Sequence, residues 1–163
     1  DHAHDHKHDE VKEKTEDKKE EKKKEKVKVE KIKKEEAVAQ GVSFPISKKH
    51  SMYICAFIKG KPIDQAIAEL EEVGKMKRPI PFKGEIPHRK NLRGGSGRYP
   101  INASYYFIKL LKGLKGNVLN NNMDLDNVRI TLATATWAAR PAKPKGRKAK
   151  RTNILLKARE VVK

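Results

Sequence analysis

The stretch that decides the fold is Val128–Val162, VRITLATATWAARPAKPKGRKAKRTNILLKAREVV. Its flanks, Val128–Thr136 and Asn153–Val162, alternate apolar and polar residues, and its centre carries Pro141, Pro144 and Gly146. Period-2 runs on both sides of a Gly/Pro-bearing centre predict a β-hairpin over about 128–162. A turn near Pro144–Gly146 leaves arms of about sixteen residues, on the order of 50 Å at ~3.3 Å per residue. A common strand reaches only ~17–20 Å. Between Arg140 and Arg151 stand seven cations, Arg140, Lys143, Lys145, Arg147, Lys148, Lys150 and Arg151, and no acid. The outer half of this hairpin has almost nothing to bury, and an isolated two-stranded ribbon is marginal in water. It needs an external surface, and its charge makes that surface anionic.

The rest of the composition agrees. The 163 residues are 37% charged and 36% apolar, with 6% aromatic, so the core is small and mostly aliphatic. A net charge of +18 and a pI near 10.0 point to nucleic acid or an anionic membrane surface. Residues 1–41 hold thirteen Asp/Glu and thirteen Lys, so the whole excess lies in 42–163. The cation is the folded part. Cys55 stands alone, which excludes an intramolecular disulfide and a cysteine-based zinc site and suits a reducing compartment. No apolar run approaches the ~18–20 residues of a membrane span, and no charged-then-apolar leader opens the sequence.

Residues 1–41 read as a charged low-complexity extension, disordered or a solvated helix, with no core of its own. His2, His4, His6 and His8 alternate at its start; they read as a solvated, tag-like end. The folded domain is expected over 42–163. Val42, Phe44 and Ile46 alternate as a short strand, which Pro45 places at a sheet edge. Ser47 is the expected N-cap of a helix over Lys48–Lys59, with Gly60 as its C′ residue. Pro62 opens a second helix through Ile63, Ala66, Ile67, Leu70 and Val73, closed by Gly74. A long connection over Lys75–Pro100 follows, and a third helix from about Asn102 turns Ala103, Phe107, Leu110, Leu111, Leu114 and Val118 inward. Grouped helices and few strands predict an α+β fold, three helices packed on a small antiparallel three-stranded sheet with a long extended β-hairpin.

Three basic clusters are candidate nucleic-acid contacts. The hairpin tip is the first, because Lys and Arg on a slender ribbon neutralise phosphates inside a groove or cleft. The second is the connection, where His88, Arg89, Lys90, Arg93 and Arg98 stand among Gly94, Gly95 and Gly97 beside Tyr99, a ring able to stack on a base. Its GGSG lacks the Lys-Ser/Thr ending of a phosphate-binding loop and follows no strand. The third is Ser47-Lys48-Lys49-His50, cations at a helix N-terminus and so at the wrong end of the dipole. That mild cost suggests a nearby phosphate. Trp137 has two readings, stacking on a base or packing against the hairpin's root. Cys55 reads as core. Glu69, Glu71 and Glu72 share a helix with no Ser or His in catalytic spacing, so no catalytic set, metal site or cofactor is expected.

Several motifs carry a resemblance. FIKGKPIDQAIAEL (57–70), KRPIPF (77–82), HRK (88–90), GRYPINAS (97–104), LDNVRI (125–130) and PKGRKAKRTNI (144–154) together resemble the L-twenty-two family of large-subunit ribosomal proteins. The PIPF, HRK and GRYP elements resemble its archaeal/eukaryotic branch, L-seventeen in eukaryotic naming. The chain departs from the family pattern where Ile154 replaces a histidine and in a tip richer in Lys than Arg. The resemblance implies a cytoplasmic, ribosome-bound structural protein that holds large-subunit rRNA beside neighbouring ribosomal proteins, with no membrane partner. It also implies that a hairpin tip at Pro144, Lys145, Gly146 and Arg147 faces the nascent peptide in the exit tunnel. Its rRNA contacts would fall on the three clusters above. The rival reading is a free-standing basic RNA-binding or RNA-chaperone module.

Overall fold

The computed structural model describes residues 35–82, 86 and 97–161. Most of the 1–41 extension, with its histidines, therefore lies outside the described residues, as do His88, Arg89, Lys90 and Arg93.

The central layer is an antiparallel three-stranded sheet. Strand β1 (Glu36–Phe44) lies at one edge, β7 (Thr152–Glu160) in the middle and β4 (Val128–Trp137) at the other edge. The middle strand alternates perfectly, with Thr152, Ile154, Leu156 and Ala158 buried between half-buried or exposed neighbours. That alternation gives the sheet one face toward a core. Ala39 pairs with Leu156, and Ala133 and Ala135 on β4 pair with Leu156 and Ile154, so small residues flank the large ones.

Three helices cover that face: α1 (Lys48–Ile58), α2 (Ile63–Gly74) and α3 (Ile101–Asn120). Ile54, Ile58, Leu70, Val73, Phe107, Leu111, Leu114 and Val118 are fully buried against Ile130, Ile154 and Leu156. The α+β arrangement read from the element order is the one observed. Two short ladders complete the topology, β2 (Ile80–Pro81) with β3 (Gly97–Arg98), and β5 (Ala142–Lys143) with β6 (Arg147–Lys148).

Helix ends follow local chemistry, with differences from the sequence reading. Gly60 terminates α1 at φ +82, and its N–H donates to Ile130 C=O at 2.8 Å, fastening the turn to β4. The left-handed residue after α2 is Met76 (φ 56), not Gly74. Lys77 N–H reaches back to Glu72 C=O at 2.9 Å, the six-to-one bond of a Schellman cap. Asn122 (φ 54) does the same for α3, with Met123 N–H on Val118 C=O at 3.2 Å. Ser47 holds the expected N-cap position but makes no side-chain cap bond; instead the Ser51 hydroxyl donates to Ser47 C=O at 2.9 Å.

Strand β1 departs most from expectation. It begins at Glu36, ahead of the boundary placed at Val42, and its buried residues are Ala37, Ala39 and Gly41. Val42, expected on the inner face, is 65% exposed. A register irregularity between Gly41 and Phe44, with Ser43 at φ 57, reverses the alternation there, as a bulge does. The outer edge of β1 is closed by α3, whose Asn117 and Asn121 side-chain amides donate to Val38 and Glu36 C=O at 2.9 and 3.1 Å.

The hairpin is not one continuous ladder. Pairing runs from Val128–Glu160 to Trp137–Thr152 with one register irregularity between Ile130 and Leu132, then breaks, and resumes as Ala142–Lys148 and Lys143–Arg147. Ala138 N–H to Arg151 C=O (3.2 Å) and Ala149 N–H to Pro141 C=O (2.9 Å) bridge the gap. Pro141, at the end of this gap, has no N–H to give to the ladder. The turn falls at Pro144–Gly146 as read, with Lys145 at φ 64 and Gly146 at φ 69.

Candidate nucleic-acid interface

The site is built outward from Thr152. This residue is fully buried, and its hydroxyl donates to Ile46 C=O at 3.0 Å. Across the sheet it pairs with Phe44 on one side and Trp137 on the other. Ser43 N–H adds a 2.8 Å bond to the Asn153 side-chain oxygen. These contacts bind the root of the hairpin to the segment that enters α1. The N-terminus of α1 is therefore held beside the place where the basic ribbon leaves the domain.

Trp137 joins the two. Lys48 Nζ lies 5.3 Å from its ring centroid and the Arg140 guanidinium 4.8 Å, both within cation–π reach. The indole remains 55% exposed. Of the two readings of Trp137, packing at the hairpin's root is observed, but on its cations rather than in the core. Arg140 is also oriented by its Nε–H, which donates to Ala149 C=O at 3.1 Å.

A second set of rings brings in the Lys75–Pro100 connection. Tyr53 packs on Phe82 with ring centroids 4.1 Å apart, His50 meets Phe82 edge-on at 5.6 Å, and the Arg98 guanidinium lies 5.6 Å from the Phe82 centroid. Gly97 makes this possible: a Cβ there would stand 2.7 Å from Ile80 C=O, so only glycine lets β3 lie this close to β2. Thus α1's first turns touch both other clusters, His50 through Phe82 to Arg98 and Lys48 through Trp137 to Arg140. Tyr99 is half-buried, whereas Arg98 and Lys49 are exposed. Sequence reasoning found the cations but missed Phe82 and Tyr53, which look like ordinary core aromatics when read one at a time.

The electrostatics are one-sided. Lys143, Lys145, Arg147, Lys148 and Lys150 are exposed, as is Arg140, and Arg151 is half-buried. None of the seven hairpin cations lies in ion-pair reach of a carboxylate among the described residues; the ion pairs formed there use Lys61, Arg78, Lys115, Lys157 and Arg159. Lys143 and Arg147 stand directly opposite each other on the ladder, an unfavourable like-charge pair. The first turn of α1 contains no acid. Such a surface suits a polyanion. Elsewhere the chain neutralises its charges: Glu69, 7% exposed, takes Lys61, Arg78 at 3.2 Å and the Gln65 amide at 3.1 Å. That network ties the α1–α2 turn to the segment after α2. Cys55 is buried, and burial pushes its thiol up to about 12, so it is an inert core residue. No helix among the described residues is long and apolar enough to cross a membrane.

A family model, ribosomal protein L22p/L17e, matches residues 39–160. Large ribosomal subunit protein uL22 of Archaeoglobus fulgidus is 42% identical over 103 residues, covering 61% of this chain and 66% of that protein. Its counterparts in Methanocaldococcus jannaschii and Methanococcus aeolicus are 36% and 37% identical over 107 residues, covering 63% of this chain and 69% and 70% of theirs. The chain therefore spans just under two thirds of the Archaeoglobus protein's length. The match runs from within β1 to the end of β7 and takes in the three helices, the basic hairpin and all of the sheet but the first three residues of β1. The chain belongs to the ribosomal protein L22p/L17e family.

Proposed function

We propose that this protein is a structural constituent of the large ribosomal subunit in the cytoplasm. It binds large-subunit rRNA, supports assembly beside neighbouring ribosomal proteins, and lines the nascent-peptide exit tunnel with its hairpin. One observation carries the reading. Seven hairpin cations, without a carboxylate partner among the described residues, are joined through Trp137 to the cationic start of α1.

The mechanism is charge neutralisation on a fixed frame. Lys and Arg on the ribbon replace the counterions of closely packed phosphates, and the Thr152–Ile46 bond holds the ribbon's root to the domain. Lys48, Lys49, His50, Arg98 and Tyr99 act at the root; His88, Arg89, Lys90 and Arg93 are the further rRNA contacts proposed for the Lys75–Pro100 connection. Pro144, Lys145, Gly146 and Arg147 form the tip that faces the tunnel. Membership of the family supports this role, and the chemistry assigned to the residues is structural rather than catalytic. The test is cross-linking of Lys143–Lys150 in intact large subunits, followed by a high-salt wash. Stoichiometric retention with cross-links to rRNA is expected. Loss of the protein in salt would instead identify a loosely bound RNA chaperone.

A further inference from the structure

Beside the hairpin's root lies a cleft that none of the three basic clusters includes. It has a volume of about 480 Å³ and is lined by Pro45, Ile101, Asn102, Tyr105 and Tyr106. We propose that this cleft seats an unpaired RNA base, stacked on Tyr105. This rests on the RNA-binding role above and names what that RNA presents here.

The cleft is braced. Phe44 packs on Tyr106 at 5.2 Å, and Tyr106 meets Tyr105 edge-on at 5.7 Å and 83°. A Cβ at Gly41 would overlap the Phe44 ring, so that glycine makes room for the ring behind Tyr106. Tyr105 nevertheless leaves 66% of its surface in solvent, and Ile101 leaves 37%. An aromatic held in place from one side and bare on the other is a stacking platform. Asn102, exposed in the same lining, offers both a donor and an acceptor to a base edge.

Charge selects the occupant. Helix α3 carries Lys109, Lys112 and Lys115 and no acid. Lys115 is engaged with Asp64 at 2.7 Å, whereas Lys109 and Lys112 are exposed. Lys109 follows Tyr105 by four residues and so shares its face of the helix. A base in the cleft places an adjoining phosphate over that lysine. Position favours the same occupant. Phe44, which braces the cleft, Thr152 and Trp137 form one row across the sheet, so the backbones of Phe44 and Trp137 stand about two strand spacings, or ~10 Å, apart at the same end of the sheet. One RNA strand can pass from the hairpin's root to α3.

The test compares two RNA probes at one salt concentration, a stem-loop with unpaired adenines and a perfect duplex of equal phosphate count. The full chain is expected to prefer the stem-loop by about tenfold, the order of one base–aromatic stack. Tyr105→Ala should erase the preference with an unchanged melting temperature, and Tyr105→Phe should keep it. If the wild-type chain binds both probes alike, or Tyr105→Ala retains the preference, the cleft does not read bases and its occupant is a protein. Binding to neither probe would overturn the RNA-binding role itself, and this inference with it.

Discussion

Replacing Lys143 with Glu separates the stability of the hairpin from its function. Lys143 faces Arg147 across a ladder of only two pairs. In the free protein their like charges oppose the pairing, and no carboxylate among the described residues relieves them. Lys143→Glu turns repulsion into attraction. Each sign is worth roughly 0.2–1 kcal/mol for a cross-strand pair, and solvent screening at this exposed site keeps the swing near the low end, about 0.5–1 kcal/mol. The tip should therefore become more ordered, with slower amide exchange at Ala142–Lys148. RNA binding should move the other way. Each phosphate contact contributes about 0.7–0.9 to the slope of log K against log salt. Losing one contact flattens that slope by about 0.8 and removes about threefold of the affinity change across a fourfold rise in salt. An rRNA fragment titrated at several salt concentrations reads this directly. If Lys143→Glu loosens the tip, the tip cations do not oppose folding; if it tightens the tip without altering the salt slope, Lys143 contacts no phosphate; either result breaks the reasoning.

Three further outcomes test the frame behind the interface. Gly97→Ala forces a Cβ to 2.7 Å from Ile80 C=O and 2.9 Å from Pro79 Cβ, and should cost about 1–3 kcal/mol by overpacking, read as a lowered melting temperature. Thr152→Val leaves Ile46 C=O without its 3.0 Å partner in a buried setting; denaturant titration should show a loss of about 1–2 kcal/mol, which Thr152→Ser restores. Burial raises the Cys55 thiol from 9.0 to about 12, so above pH 9 the unfolded chain ionises while the native thiol stays neutral. Stability is then unaffected by this group below about pH 9, and falls by about 1 kcal/mol per pH unit above it toward pH 12. The difference between wild type and Cys55→Ala should carry that slope, and parallel curves from pH 8 to 10 would contradict it.

Much of the fold is legible because its signals are local. The alternation in Thr152–Glu160 reflects a strand with one buried face, and the stripe Ala103–Phe107–Leu111–Leu114–Val118 reflects a helix on that face. Elsewhere the local signal is weak or misleading. Ala37 and Ala39 bury little area, so the start of β1 leaves a faint hydropathic trace although α3 closes its edge through Asn117 and Asn121. Val42 shares the exposed face of Val38 and Gln40, and the bulge at Ser43 then brings Phe44 onto the core side. Gly74 looked like a helix stop, yet Met76 takes the left-handed position because the Lys77–Glu72 bond closes the last turn.

By itself the sequence determined the α+β class, the hairpin and its turn, the placement of all net charge in the domain, and the family resemblance. These follow from periodicity, Gly/Pro chemistry and residue type, which act over a few positions. Only the tertiary structure decided that the start of α1 meets the hairpin through Trp137 and the Lys75–Pro100 connection through Phe82. It also decided that Pro45 and Tyr105, sixty residues apart, line one cleft. Contacts between distant segments are set by how the sheet, helices and turns close on a common core, and one-dimensional spacing carries no record of that closure. The basic ribbon was legible as a chemical need for an anion; the packing beneath it supplied the frame that anchors its root.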